Sequence, residues 1–188
     1  MDAGKPKLYT YEDWLKLDDG NRYELLDGQL IEMAVPLTQH QDISYEIGRQ
    51  LGNAIRGKCR VLPAPFGVRL IKDKNTVFQP DISVVCDRSK ITREGCVGAP
   101  DLVVEVLSKS TAGFDKLVKF NKYLEAGVRE YWIVDPENKM VTAFRLSNGE
   151  YVAKVFGNGE KAEVAALEDC VIDLGFVFFD YGIDSDES

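Results

Sequence analysis

Between Pro100 and Ser108 the chain runs Leu102-Val103-Val104-Glu105-Val106-Leu107, a short apolar stretch rich in β-branched residues. A run of this kind predicts a strand covered on both faces, in the middle of a sheet. Beyond it, Phe114, Leu117, Val118, Phe120, Tyr123 and Leu124 recur at helical spacing, with Ser110-Thr111 as the cap and Gly127 as the stop. Val128 to Val134 is a second apolar run, ended by Asp135-Pro136. Strand, helix and strand in succession predict a βαβ unit with parallel strands.

The flanking patterns are shorter. Thr10-Tyr11-Glu12-Asp13 reads as a capping box opening a brief helix through Trp14, Leu15 and Leu17. Arg22 to Met33 reads as a hairpin turning at Asp27-Gly28. From Gln39 to Arg56, Ile43, Ile47, Leu51, Ala54 and Ile55 mark one helical face, and Gly57 closes it. Val61 to Ile71 is extended, and after a turn at Asp73-Lys74-Asn75 a strand is expected over Val77 to Cys86. Within it, alternation sets Asp81, Ser83 and Val85 on one face and Ile82 and Val84 on the other. Arg88 to Val97 is a polar connection. Met140 to Leu146 and Tyr151 to Phe156 form a hairpin around Ser147-Asn148-Gly149, and Leu167 to Phe179 is a last apolar segment. No repeat or linker interrupts the pattern, so residues 1–188 are read as one domain whose acidic tail, from residue 181 on, is frayed.

Composition narrows the function. The 23 Lys+Arg against 31 Asp+Glu give a net charge of −8, which lacks the footprint of a general nucleic-acid binder but leaves room for a local basic groove. Four cysteines without a CxxC pair indicate neither a zinc site nor a disulfide scaffold, so a reducing cytoplasm is expected. No run is long enough to span a membrane, and no signal-peptide core is present.

Candidate chemistry starts from Glu105, the lone charge in its strand. A buried carboxylate there must be paired, protonated or bound to a cation. Asp81 enters the preceding strand, and on the following helix Asp115, Lys119 and Tyr123 form one column. Glu24 lies in an apolar strand and reads as a strand-edge carboxylate or as an ion-pair partner of Arg22; His40, the only histidine, opens a helix. Two carboxylates on adjacent strands can share a divalent cation, and a nearby lysine can orient water and stabilise charge on a phosphate. That is equipment for phosphodiester hydrolysis.

Pro80-Asp81 followed by Glu105-Val106-Leu107 resembles the PD-(D/E)xK nuclease signature. Gly98 to Ser108, Ser110-Thr111, Asp115, Lys119, Tyr123 and the stretch Gly127 to Pro136 resemble the Uma-two restriction endonuclease family, as do Tyr23-Glu24-Leu25, Gly28 and His40. The resemblance implies an α/β (α+β) restriction-endonuclease-like core of order αβββαβ, a mixed sheet flanked by helices, with N-terminal and C-terminal hairpin additions. It implies Mg²⁺, with Mn²⁺ as a substitute, DNA as substrate, and a homodimer. Carried over by position, Asp81 and Glu105 are metal ligands, with Glu24, His40 and Tyr123 lining the site. Where the signature expects lysine this chain has Leu107, which makes Lys119 the catalytic lysine and Lys109 its rival. A nuclease fold that binds without cutting is the alternative reading.

Overall fold

The computed structural model describes residues 7–70, 75–108 and 114–179, the side chains of residues 114–116 excepted. In chain order the elements are α1 (Tyr11–Trp14), β1 (Tyr23–Leu26), β2 (Gln29–Glu32), α2 (Thr38–Ala54), β3 (Arg60–Pro63), β4 (Val68–Arg69), β5 (Val77–Phe78), β6 (Ile82–Val85), β7 (Cys96–Val97) and β8 (Leu102–Val106). They continue with α3 (Phe114–Ala126), β9 (Glu130–Asp135), β10 (Met140–Ser147), β11 (Glu150–Gly157), β12 (Lys161–Glu163), β13 (Val171–Asp173) and α4 (Leu174–Val177).

One sheet runs β11-β10-β9-β8-β6-β3, with β8 and β9 parallel and the other neighbours antiparallel. The series α2, β3, β6, β8, α3, β9 is the expected αβββαβ order in a mixed sheet. A second sheet, β2-β1-β5-β4-β7, is built from the N-terminal hairpin and the segments inserted between the core strands. Residues 60–69 and 77–85 therefore each serve two sheets, β3 and β6 belonging to one and β4 and β5 to the other.

Alternation along the strands divides the core. Ile43, Ile47 and Leu51 of α2 pack with Ile82, Val84, Leu102, Val104 and Trp132 on one face. Val85, Val103 and Tyr131 face the other way, toward Tyr123 of α3 and Val68 and Phe78 of the second sheet. Burying a Leu, Ile or Val side chain contributes about 1.5–3 kcal/mol, so these stripes fix which way each strand faces. Glu105, between Val104 and Val106, is thereby turned toward α3. Ala54, expected on the buried face of α2, is exposed at the end of the helix.

The Thr10–Asp13 capping box is formed in both directions, and the two hairpins turn where the sequence placed them. Asp27-Gly28 and Asn148-Gly149 all have positive φ, the pair of left-handed residues a two-residue hairpin turn requires. The cysteines depart from expectation. Antiparallel pairing sets Arg60 opposite Val85, so Cys59 and Cys86 meet one step beyond and form a disulfide, although 27 residues separate them. Spacing along the chain could not reveal a pair made by strand register, and the cysteines no longer argue for a reducing compartment. No helix among the described residues is long and apolar enough to cross a membrane.

Candidate active site

Asp81 stands just before β6. Its Oδ2 accepts the Val106 backbone N–H at 2.7 Å and lies 3.2 Å from His40 Nε2. The β6–β8 ladder pairs Ile82 with Val104, so Val106 lies beyond the last strand partner and the Asp81 side chain takes its place. His40 comes from the first turn of α2. Burial alone would lower its pKa, but the hydrogen bond to Asp81 and that residue's charge outweigh it and hold the imidazole above its ordinary value.

Glu105 presents Oε1 to two donors on α3, Lys119 Nζ at 3.0 Å and Tyr123 Oη at 3.1 Å. Lys119 and Tyr123 are one helical turn apart and so share a face. Lys119 also donates to Glu24 Oε1 at 2.8 Å, and its ammonium sits 5.5 Å from the centre of the Phe78 ring. Glu24, 5% exposed in β1, is fixed by the Gln79 backbone N–H at 2.9 Å. Three carboxylates thus gather around one lysine and one histidine.

Burial pushes the Glu105 carboxyl up to about 7; the Lys119 charge opposes this, while Asp81 and Glu24 add to it. For Lys119, burial favours the neutral amine, but Glu105 and Glu24 overcome it and hold the side chain charged, above the ordinary lysine range. Burial, then the Glu105 and Glu24 charges, keep the Tyr123 hydroxyl protonated as a donor. The side chains of Asp81 and Glu105 are each 15% exposed. Each commits one oxygen to protein donors, leaving Asp81 Oδ1 and Glu105 Oε2 without a donor among the described residues.

The structure brings Asp81, Glu105, Lys119, Glu24, His40 and Tyr123 into this one region. Arg22, the alternative partner for Glu24, instead donates through Nη2 to Gln79 Oε1 at 3.2 Å. Lys109 and the Ser110-Thr111 cap lie outside the described residues, as does the side chain of Asp115. Sequence reasoning passed over Gln79 and Phe78. Gln79 holds Glu24 through its main chain, which no side-chain pattern reports, although its position before Pro80-Asp81 was a usable signal. Among the described residues no group of three or more His, Cys, Asp and Glu side chains is arranged as a metal cage. A cation here would rest on the two carboxylates, with backbone or solvent oxygens making up its shell.

The sheet order and its helices define a restriction-endonuclease-like protein. Residues 8–175 match the family described as "Uma2: Putative restriction endonuclease", and the chain belongs to that family. Among its relatives is "Uncharacterized protein slr1290" of Synechocystis sp., 31% identical over 86% of this chain and 87% of its own. A second Synechocystis protein, "Uncharacterized protein sll1609", is 28% identical over 72% of this chain and 79% of its own. A crystal structure of "a putative nuclease belonging to DUF820" from Anabaena variabilis superposes with a TM-score of 0.74 at 20% identity, covering 90% of this chain and 97% of that one; it shares the fold.

Proposed function

We infer that the protein is a metal-dependent endonuclease that hydrolyses DNA phosphodiester bonds. The observation that carries this reading is the convergence of Asp81 and Glu105, each with one oxygen that takes no donor among the described residues, beside a lysine held 3.0 Å from Glu105. The donor set is all oxygen, as Mg²⁺ requires and Mn²⁺ accepts, so Asp81 and Glu105 fit as the ligands. Bound there, the ion would supply Lewis-acid stabilisation of the scissile phosphate and a water of lowered pKa. Lys119, charged and anchored by Glu24, is placed to orient the attacking water and to stabilise negative charge on phosphate. Tyr123 fixes the Glu105 rotamer by donating to Oε1, and His40 fixes Asp81.

Incubation of supercoiled plasmid DNA with Mg²⁺ or Mn²⁺ tests the reading. Nicked or linear product that disappears with EDTA, and is absent with Asp81→Asn or Glu105→Gln, is the expected result. Cleavage surviving both substitutions would sink the assignment. A fold that binds without cutting has one observation in its favour: the Lys119 ammonium, 3.0 Å from Glu105 Oε1, offsets part of the charge that would draw a cation. That reading predicts DNA retention with no product under any metal.

A further inference from the structure

A cleft of about 310 Å³ lies beside α1 and β1, lined among others by Trp14, Asn21, Arg22, Tyr23, Gln79 and Glu94. Arg22 is its unexplained member. Its Nη2 donates to Gln79 Oε1, but its Nε is buried with no hydrogen-bond partner, and no carboxylate lies within ion-pair distance among the described residues. In a chain with 31 acidic and 23 basic side chains, a half-buried guanidinium with no acid beside it among the described residues favours an anion.

The cleft is tied to the candidate active site through Gln79. The Gln79 side chain meets Arg22 and donates to the Tyr23 carbonyl at 2.9 Å, while its backbone N–H holds Glu24. Arg22 and Glu24 are two residues apart on one face of the hairpin, about 7 Å along the strand. Trp14, whose ring packs against Gly67 and whose Nε1 donates to the same Tyr23 carbonyl at 2.6 Å, makes a rigid apolar wall beside the guanidinium. Low-dielectric walls strengthen an ion pair, and the guanidinium fork matches phosphate oxygens.

On these grounds we propose that the cleft is a phosphate-binding subsite for the DNA backbone flanking the scissile bond, with Arg22 as its anion-binding residue. The proposal rests on the nuclease reading. Glu94, exposed at the cleft, opposes the phosphate and weakens the subsite.

The test is fluorescence anisotropy with a labelled DNA duplex in EDTA, so that cleavage plays no part, across a salt series. Arg22→Gln should weaken binding about 3- to 10-fold and reduce the slope of log K against log salt by about one, since one phosphate contact is lost. Arg22→Lys should keep most of the slope, and Glu94→Gln should tighten binding. Where Arg22→Gln unfolds, Arg22→Lys carries the test: affinity lowered with the salt slope kept supports the subsite, and affinity unchanged overturns it. Wild-type binding with an unchanged affinity and slope in Arg22→Gln, and no gain in Glu94→Gln, overturns the subsite and leaves the nuclease reading standing. No binding by the wild type overturns the subsite, and the nuclease reading is then decided by plasmid cleavage with Mg²⁺ or Mn²⁺.

Discussion

Glu105 and Glu130 are both carboxylates set in apolar strands, on β8 and its parallel neighbour β9, and their surroundings differ in kind. Glu130, 1% exposed, spends one oxygen on Trp132 Nε1 at 2.7 Å and the other on the Ala166 N–H at 2.6 Å. Burial raises its pKa, with those two donors opposing. Among the described residues Glu105 has donors on one oxygen only, and it faces two further carboxylates and leans on a lysine. A buried acid with both oxygens satisfied by neutral donors holds the fold together. One left half-satisfied among like charges is available for chemistry.

The sharpest way to break this contrast is Lys119→Met. It leaves Glu24 and Glu105 without their cation and should cost about 3–5 kcal/mol of stability, read by urea denaturation, together with all cleavage. If stability holds, the lysine is not the group that balances these acids. Asp81→Asn and Glu105→Gln should lower the cleavage rate by more than about 100-fold while changing stability by less than about 1 kcal/mol.

Glu130→Gln should do the reverse. The amide can satisfy only one of the two donors, so stability should fall by about 1–3 kcal/mol while the rate per folded molecule stays constant. Tyr123→Phe, which removes one hydrogen bond to Glu105, should slow cleavage about tenfold. A further test is in pH. Glu105 binds its proton more tightly folded, at about 7, than at the ordinary 4.5, so its contribution is full below 4.5 and lost as pH rises through 7. Thermal melts of the metal-free wild type should therefore decline toward alkaline pH more than those of Glu105→Gln.

Local signals carried much of this into the sequence. The hairpins were legible because Asp-Gly and Asn-Gly adopt positive φ, and the βαβ unit because Gly127 and Asp135-Pro136 punctuate long apolar runs. Lys119 and Tyr123 share a helical column, which the sequence displays directly. What stayed hidden was contact between distant segments. Glu24 meets Lys119 across 95 residues, and only the fold decides between it and Arg22. The segments holding β3–β4 and β5–β6 read as continuous because periodicity does not say which sheet a residue joins. The Cys59–Cys86 pair was invisible for the same reason.

Calorimetric titration of Mg²⁺ and Mn²⁺ into the wild type, Asp81→Ala and Glu130→Gln reaches the central claim most directly. The account predicts saturable binding by the wild type, its loss in Asp81→Ala and its retention in Glu130→Gln. Binding that persists unchanged in Asp81→Ala would contradict the assignment of Asp81 and Glu105 as the metal centre.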